Sequence, residues 1–252
     1  MNPKPRFEEL DYRQTPLGEL ILRRRTLLAL DHREVYEIIL GDAFLMTSLF
    51  TEVETALARL GLTAAAESLG SAAQLDVVVG GLGLGYTARA ALDHPSTHSL
   101  IVVDFLEPVI EWHQRGLVPL GAALSADPRC RFVHGDFFQL AVAAAGQPGF
   151  DPADATRQFH AILLDIDHSP SNLLHARHAA FYQPDGLRQV AAKLHPGGVF
   201  ALWSDDPPNA DFLDSLHQAF ATSSAHVVTF HNPHQDREAA STVYVATTAP
   251  RS

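Results

Sequence analysis

The hydrophobic pattern of the first part of the chain differs from that of the rest. The runs GELILRRR and EVYEIIL are typical of short strands, and the polar residues around Asp31 between them indicate a hairpin. After Thr47 and Ser48, two residue types that cap helices, apolar residues recur at helical spacing as far as Leu60. Over residues 1–70 the pattern predicts a small β appendage and a linking helix.

From Leu75 onward, strand-like apolar runs alternate with helical patterns. The strand-like runs are LDVVVG, SLIVVD, CRFVHG, HAILLD and GVFALWS. Helices are predicted from Tyr86 to Leu92, Pro108 to Leu117, Phe137 to Ala145, near Gly186 to Leu194, and from Asp211 to Phe220. Such alternation predicts βαβ crossovers and a parallel sheet that is covered on both faces.

Two further runs, AHVVTF and STVYVAT, end this pattern. The segment between them is too short for a crossover helix, so they are expected to pair antiparallel at the end of the sheet. The predicted fold is an α/β fold: a Rossmann-like, doubly wound, mostly parallel sheet with an antiparallel C-terminal strand, over residues 71–252, plus the small N-terminal β appendage.

Composition narrows the classes of function. The 252-residue chain has a formal net charge of −11, which disfavours a nucleic-acid or anionic-membrane surface. The tight basic run of Arg23 to Arg25 is interpreted as a solvated strand edge. Cys130 is the sole cysteine, which excludes an intramolecular disulfide and a thiolate metal cluster and favours a reducing compartment. With no signal peptide or membrane span in the sequence, a soluble protein of the cytoplasm is expected.

Three glycines, Gly81, Gly83 and Gly85, lie where the first strand of the alternating region turns into a helix. Their spacing differs from the dinucleotide pattern G-x-G-x-x-G unless Ala88 serves as the third small residue, and no Walker lysine follows. Two readings stay open. The glycines let the backbone approach a ligand closely, or they form a tight turn between a buried strand and its helix.

Acidic residues end the neighbouring strands. Asp104 follows the glycines by roughly 20 residues, at the position of the acid that binds a ribose diol in dinucleotide folds. Asp136 follows the next strand and suits either an adenine amino group or the N-cap of a helix. Carboxyl ends of parallel strands meet at the crevice where open α/β sheets bind ligands, so these acids are expected to converge.

Histidines are concentrated in the segment DHSPSNLLHARH, which contains His168, His175 and His178. His175 and His178 are expected to share one face of a helix. Without a thiolate or an H-E-x-x-H pattern, a solvated helix face is a better interpretation of that pair than a metal site.

The order of VVVGGLGLG, IVVD, GDFF, ILLD and LHPGGVFAL resembles that of the class I S-adenosylmethionine-dependent transferases. Within that superfamily the chain is similar to the spermidine synthase group of aminopropyltransferases. This similarity is carried by the doubled glycine of VVGGLGLG, EPVIEWH, DPRCRFVHGD, and FHAILLDIDHSP followed by AFYQPDGLRQVAAKLHPGGVF. It extends from Leu75 to about Trp203, and a small N-terminal β part also suits the family.

The resemblance implies a site and its ligands. Decarboxylated S-adenosylmethionine or S-adenosylmethionine is the implied co-substrate, a small-molecule amine the implied acceptor, and no metal is expected. The implied nucleotide residues are Gly81, Gly83 and Gly85 at the loop, Asp104 at the ribose and Asp136 at the adenine; Asp165 is implied beside the reacting amine. The family's habit of dimerising implies a homodimer.

The chemistry of such a site needs alignment and a proton acceptor. A sulfonium makes its adjacent carbons electrophilic, and alignment alone lowers the barrier by roughly 7 to 11 kcal/mol. An amine attacks only when neutral, and a carboxylate at the strand end attracts the ammonium ion and accepts its proton. Asp165 is the first candidate, with capping of a turn as its structural alternative; Asp167 and His168 are further catalytic candidates. Asp205 and Asp206 in WSDDPPN either add acids to this edge or form a turn.

Departures from the family pattern concern the acceptor. The family typically has Asp-Ser-Ser-Asp-Pro after the catalytic strand, whereas this chain has Asp-Ile-Asp-His-Ser-Pro from Asp165. The family's Tyr-His-Glu element, part of its polyamine site, is missing, and Thr47 and Ser48 stand in its place. Leu106 stands where related nucleotide sites often have another acid after Asp104. Putrescine is therefore expected to be a poor acceptor. The alternatives to aminopropyl transfer are a methyltransferase acting on a small acceptor and a non-catalytic nucleotide-binding relative.

Overall fold

The computed structural model describes residues 6–70, 73–144, 147–233 and 235–251, and two β-sheets organise them. The first sheet is antiparallel and follows chain order. Its strands are β1 (Phe7–Thr15), β2 (Gly18–Leu27), β3 (Arg33–Leu40) and β4 (Ala43–Thr47). The two predicted strands, β2 and β3, are confirmed, as is the turn at Asp31, where φ is +50°. Strands β1 and β4 were not predicted.

Two interpretations of the N-terminal region are wrong. The three arginines from Arg23 to Arg25 do not lie at a sheet edge, because β2 pairs with β1 on one side and β3 on the other. Arg23 and Arg25 both form ion pairs with the buried Glu37. Thr47 and Ser48 do not cap the helix, because β4 extends to Thr47, and the Ser48 hydroxyl accepts a hydrogen bond from the Tyr36 N–H at 2.9 Å.

The second sheet contains seven strands in the order β10-β11-β9-β8-β5-β6-β7. They are β5 (Leu75–Gly80), β6 (Thr97–Asp104), β7 (Cys130–His134), β8 (Phe159–Leu164), β9 (Leu194–Ser204), β10 (Thr222–Asn232) and β11 (Arg237–Thr247). Strands β5 to β9 pair in parallel, and β11 runs antiparallel to both β9 and β10. The predicted fold class is confirmed. Because the strand order reverses between β5 and β8, the carboxyl ends of these two strands border the crevice.

Seven α-helices connect and cover the strands in the described part of the chain. They are α1 (Glu52–Leu69), α2 (Tyr86–Asp93), α3 (Glu107–Gln114), α4 (Gly121–Ala126), α5 (Phe137–Val142), α6 (Pro184–Ala191) and α7 (Ala210–His217). Helix α4 was not predicted. The predicted end of α5 at Ala145 lies outside the described residues, and Leu194 belongs to β9 rather than to a helix. No helix among the described residues has the length and apolar character that crossing a bilayer requires.

Helix α1 lies across the large sheet and runs antiparallel to β8 and β9. A Cβ added at Gly61 would come within 2.7 Å of Leu163 in β8 and 3.1 Å of Ala201 in β9. At the C-terminus of the helix, Ser68 and Leu69 pack beside Gly197 in the first part of β9. The N-terminus of α1 therefore lies at the carboxyl ends of the strands. The predicted boundary between residues 70 and 71 stays a prediction, since Ser71 and Ala72 lie outside the described residues.

The small sheet is attached to the large one through α3. The indole N–H of the fully buried Trp112 donates a hydrogen bond to Asp11 in β1 at 2.7 Å. Burial raises the pKa of Asp11, but the hydrogen bonds from Trp112 and Arg13 outweigh it and hold the pKa below its ordinary value of 3.8. This side-chain contact joins residues 101 positions apart in the sequence.

We expect Asp11→Ala to lower the free energy of unfolding by about 1–2 kcal/mol at pH 7, because a buried indole N–H loses a charged acceptor. Since the pKa of Asp11 is lowered by folding, its contribution is present above pH 3.8 and is lost as the pH falls below that value. Urea denaturation at pH 7 and pH 3 measures both effects. Glu9→Ala, on the same strand, is the control and is expected to change stability by less than about 0.5 kcal/mol. Equal losses in the two variants would contradict this role for Asp11.

Candidate active site

The candidate site lies at the carboxyl ends of β5, β6, β7 and β8. Backbone hydrogen bonds bring these ends together: the Gly81 N–H donates to the Val103 carbonyl at 2.9 Å, and the Asp165 N–H donates to the Gly80 carbonyl at 2.8 Å. The glycine loop (residues 81–85) thus lies between Asp104 at the end of β6 and Asp165 after β8. The structure brings these predicted residues to one edge of the sheet.

Gly81 is held directly against the strand that ends at Asp165. Its φ is +93°, and a Cβ added there would overlap the carbonyl oxygen of Asp165. Only glycine satisfies both the dihedral angle and the close approach. The interpretation of Gly81 as part of a tight turn therefore agrees with the structure, because its missing side chain lets the loop approach the end of β8. Contact with a nucleotide stays a prediction.

The other two glycines are packed by side chains from distant elements. A Cβ on Gly83 would lie 2.7 Å from the Met46 sulfur, which also accepts a hydrogen bond from the Leu84 N–H at 3.1 Å. A Cβ on Gly85 would lie 2.8 Å from the ring of His113 in α3. Met46 in β4 therefore covers the loop from the small sheet, and α3 packs against it through His113.

His113 supports the loop as a neutral side chain. It is fully buried, and its Nε2–H donates a hydrogen bond to the Gly83 carbonyl at 2.9 Å. Burial lowers its pKa to about 4, against the opposing effect of that bond. Its Nδ1 is buried without a hydrogen-bond partner among the described residues. The sequence pattern did not single out His113, whose role depends on the packing of α3.

Asp104 is bonded to both neighbouring loops. Its Oδ2 accepts the Leu82 N–H at 2.9 Å, and its Oδ1 accepts the Leu106 N–H at 2.7 Å. Burial raises the pKa of Asp104 above its ordinary value of 3.8, although hydrogen bonds from these two backbone N–H groups and from that of Gly83 oppose the shift. Each carboxylate oxygen keeps further acceptor capacity, so the arrangement suits a ligand hydroxyl that approaches the same carboxylate.

Asp136 caps α5, as one of its two readings predicted. Its Oδ1 accepts the N–H groups of Phe138 and Gln139 at 3.0 and 3.3 Å. Its Oδ2 is buried; the Arg177 guanidinium lies 3.1 Å away but is not oriented to form a hydrogen bond. The same guanidinium lies over the Phe105 ring at 5.5 Å. A planar cationic group thus lies between Phe105 and Asp136, the position at which the resemblance implies an adenine.

Asp165 is partly buried at the centre of the site. The hydroxyl of Thr87, in the first turn of α2, donates a hydrogen bond to its Oδ2 at 2.6 Å. Burial raises the pKa of Asp165 to about 6, although the bond from Thr87 favours the charged form. A carboxylate with such a pKa is able to accept a proton near neutral pH.

A second carboxylate, Glu54, lies near Asp165 and was missed by the sequence analysis. Glu54 occupies the first turn of α1, on the helix face that also carries the buried residues Leu57, Ala58 and Gly61. Burial and then the charge of Asp165 raise the pKa of Glu54 to about 8. The only signal in the sequence is one acidic residue on the apolar stripe of the predicted helix.

Asp167 faces the interior instead of the crevice. Its Oδ1 accepts the Leu174 N–H at 2.8 Å, its Oδ2 accepts the Tyr182 hydroxyl at 2.8 Å, and the Nδ1 of His178 lies about as close to both oxygens, at 2.9 and 3.0 Å. Burial, and to a smaller extent the charge and hydrogen bond of Asp167, raise the pKa of Tyr182 well above its ordinary value. These bonds fix the segment between β8 and α6. They account for both carboxylate oxygens without a ligand.

The interpretation of a solvated helix face for His175 and His178 is wrong for His178. That residue is buried, stacks on Phe138 with ring centroids 3.8 Å apart, and bonds Asp167. His175 is exposed and accepts the Arg177 N–H at the start of a short 3-10 helix. Among the described residues, no group of three or more His, Cys, Asp or Glu side chains has the arrangement of a metal site.

The remaining predicted residues border the edge of the site. The carbonyl of His168 accepts the Asp205 N–H at 2.7 Å, which joins the loops after β8 and β9. Asp205 and Asp206 are exposed; Asp206 accepts a hydrogen bond from the Ser171 hydroxyl at 3.1 Å, and Asp205 one from the Ser241 hydroxyl at 3.3 Å. The structure therefore brings these three residues to one rim, with the partly buried Asp165 beside the glycine loop.

Comparison with known proteins agrees with the resemblance that the motifs indicate. No family model matches the chain. The chain is 27% identical, over 156 residues, to polyamine aminopropyltransferase 2 of Pseudomonas aeruginosa, covering 58% of this chain and 40% of that protein. The chain thus matches less than half of the length of that curated relative.

Solved structures share the fold. A spermidine synthase in complex with the transition-state analogue AdoDATO superposes with a TM-score of 0.69 at 15% identity, covering 96% of this chain and 74% of that chain. Spermidine synthase from Thermotoga maritima gives 0.68 at 15% identity with the same coverage. Human methyltransferase-like protein 13 in complex with SAH gives 0.54 at 20% identity, covering 79% and 83%. The chain has the fold of spermidine synthases and is similar in sequence to an aminopropyltransferase.

We expect Gly81→Ala to destabilise the protein by several kcal/mol, because the new Cβ overlaps the Asp165 carbonyl and the residue must keep a positive φ. Gly18→Ala is the matched control: its φ is +120°, but a Cβ there has nothing within 4 Å. That variant carries the backbone strain alone, about 1–2 kcal/mol. Denaturation of both proteins measures the difference. Equal losses would mean that Gly81 is required for its dihedral angle only.

Proposed function

We propose that this chain is a transferase that moves an aminopropyl group from decarboxylated S-adenosylmethionine to a small amine and releases methylthioadenosine. The observation that carries the proposal is Asp165, whose backbone packs against the glycine loop and whose partly buried carboxylate has a pKa of about 6. The similarity to a polyamine aminopropyltransferase supports the same reaction.

The residues present fit an adenosyl nucleotide. Asp104 has acceptor capacity for the two ribose hydroxyls, and its bond to Leu82 fixes it relative to the loop. Asp136 keeps a buried oxygen, Oδ2, without a hydrogen bond, which suits an adenine amino group. For that group to bind, the Arg177 side chain moves away from Phe105 and Asp136. The sulfonium of the bound nucleotide supplies an electrophilic carbon.

Asp165 is proposed as the catalytic residue that prepares the amine. Its carboxylate attracts the acceptor as an ammonium ion and takes one proton, which leaves a neutral amine with a free lone pair. That lone pair forms the new N–C bond as the C–S bond breaks, and the electron pair of the broken bond stays on sulfur as a thioether. Thr87 holds the carboxylate in place through its hydroxyl.

Asp167 is proposed as a positioning residue, because its oxygens are engaged by His178, Tyr182 and the Leu174 backbone. These bonds hold the segment that follows Asp165 and carries Arg177. His168 stays a proposed catalytic candidate at the rim, where it would assist proton release.

A homodimer in the cytoplasm stays part of the proposal. Several large apolar side chains are exposed on or beside the small sheet, and they support its use as an interface: Phe7, Tyr12, Leu17, Leu28 and Phe44. The single cysteine supports a reducing compartment.

We expect wild-type protein to form methylthioadenosine from the decarboxylated donor when incubated with a panel of amines, and to use putrescine poorly. Asp165→Asn is expected to bind nucleotide normally and to lower kcat by roughly 100-fold or more, because the amide keeps the shape but accepts no proton. Chromatography of the nucleotide products measures both results.

Asp214→Asn, exposed on α7, is the control variant for this assay and is expected to keep wild-type turnover. Acceptor-dependent S-adenosylhomocysteine from the intact donor, without turnover of the decarboxylated donor, would replace the proposal with a methyltransferase. Tight nucleotide binding without turnover on the whole panel would favour a non-catalytic protein. Full activity of Asp165→Asn would move the proton acceptor elsewhere.

We expect Asp104→Asn to weaken methylthioadenosine binding by roughly 10- to 100-fold, because a hydrogen bond to a charged group contributes about 1.5–3 kcal/mol. Isothermal titration calorimetry measures the affinity, and circular dichroism verifies the fold. Asp214→Asn, exposed on α7, is expected to bind like wild type. Wild-type affinity in a folded Asp104→Asn protein would exclude Asp104 as the ribose ligand.

A further inference from the structure

Glu54 and Asp165 are partly buried and have no cationic partner in the described part of the chain, unlike the buried carboxylates Glu37, Asp151 and Asp167. Glu37 is paired with Arg23 and Arg25, Asp151 is paired with Arg157, and Asp167 is bonded by His178. Among the described residues, no Arg, Lys or His side chain acts on either Glu54 or Asp165. Burying a carboxylate without a partner is costly, and such groups usually bind a proton or a cation.

The backbone geometry places Glu54 above the end of β8. Gly61 of α1 contacts Leu163, and Glu54 lies seven residues, two helical turns, before Gly61 on the same helix face. Because α1 runs antiparallel to β8, those two turns extend toward the residue that follows the strand, Asp165. The electrostatic interaction between the two carboxylates agrees with this placement.

The groups that act directly on Glu54 and Asp165 are acidic or neutral. The charge of Glu52, in the same turn of α1, acts on Glu54, and the charge of Glu54 acts on Tyr86 in α2. Thr87 donates its hydroxyl hydrogen to Asp165. Arg33 in β3 also acts on Tyr86, but no cation of the described residues acts on either carboxylate. The two carboxylates therefore interact with each other without a positive charge to compensate them.

We propose that Glu54 is the second carboxylate of the acceptor site, and that the reacting ammonium group of the substrate binds between Glu54 and Asp165. This inference rests on the proposed function. The family's Tyr-His-Glu element, which helps to bind the acceptor, is absent at Thr47 and Ser48, and the inference assigns its role to Glu54 of helix α1. On this inference the acceptor is a cationic amine, and Glu54 is a residue that determines the specificity for that amine.

Proton balance accompanies binding. Without ligand, the pair shares one proton, since two unpartnered carboxylates at close range do not both ionise. An ammonium ion that binds between them supplies the missing charge, and the shared proton leaves to solvent. The ammonium then passes one proton to the pair before attack, so the bound amine is neutral. The product ammonium forms as the new N–C bond replaces the C–S bond.

The first readout uses ligand-free protein. The pKa of Glu54 rises from an ordinary 4.5 to about 8 on folding, so the folded chain binds the proton more tightly than the unfolded chain between these values. This contribution to stability is present below pH 4.5 and is lost as the pH rises through about 8. Glu54→Gln removes it, so the Tm of Glu54→Gln relative to wild type is expected to rise over that range.

Glu52→Gln, in the same turn but exposed, is the matched control. Because the charge of Glu52 makes the smallest contribution to the raised pKa of Glu54, the Tm of Glu52→Gln relative to wild type is expected to change much less with pH than that of Glu54→Gln. A Tm difference between Glu54→Gln and wild type that does not change with pH would overturn the shared proton. A rise of equal size in Glu52→Gln would assign the effect to the general charge of the helix N-terminus.

The second readout is calorimetric titration of cadaverine, agmatine and spermidine into protein saturated with methylthioadenosine. Glu54→Gln is expected to weaken amine binding by roughly 10- to 100-fold while it leaves the affinity for methylthioadenosine unchanged. In wild type, titrations in two buffers of different ionisation enthalpy are expected to detect proton release, which is absent in Glu54→Gln.

The outcomes separate the two proposals. If wild type binds amines and Glu54→Gln binds them equally well, the role of Glu54 fails and aminopropyl transfer stands. If wild type binds methylthioadenosine but no amine, both proposals fail. If amine binding weakens together with nucleotide binding in Glu54→Gln, the residue shapes the whole site and does not select the acceptor.

Discussion

The contact between the glycine loop and the end of β8 is the constraint on which the site depends. Gly81 packs against the Asp165 carbonyl so closely that a methyl group cannot fit, and the loop that follows is bonded to Asp104, Met46 and His113. The sheet, the small N-terminal sheet and helix α3 therefore all meet at the same short piece of backbone. A change in any of these elements displaces the loop, because packed backbone has no free space to absorb it.

Burial of carboxylates is the second feature that unifies the structure. Where a buried acid has a purely structural role, the chain supplies a partner, as it does for Glu37 and Asp167. At the edge of the crevice it does not, and Asp165 and Glu54 have raised pKa values as a result. Such a site loses folding stability at neutral pH and gains an affinity for protons and cations. That exchange suits an acceptor that arrives charged and reacts neutral.

The segment between β8 and α6 connects these two features. Asp167 holds it from within through His178 and Tyr182, and its outer side carries Arg177 between Phe105 and Asp136. One segment thus fixes the strand end that carries Asp165 and covers the place proposed for the nucleobase. Asp167 is a catalytic candidate in the sequence, whereas its contacts with His178 and Tyr182 suit the positioning role proposed for it.

The sequence by itself determined the large sheet and its acidic edge. Strand and helix periodicities are local properties, and parallel pairing brings strand ends together, so Gly81, Asp104 and Asp136 were predicted at one edge of the sheet from the sequence pattern. Asp165 was added to them by the family resemblance. Only the tertiary structure decided which way the side chains near those ends face. Asp165 and Asp167 follow the same strand, yet one borders the loop and the other is buried with His178. Glu54 lies near the end of β8 because α1 packs on that strand, and no local pattern records the resulting electrostatic interaction between residues 54 and 165.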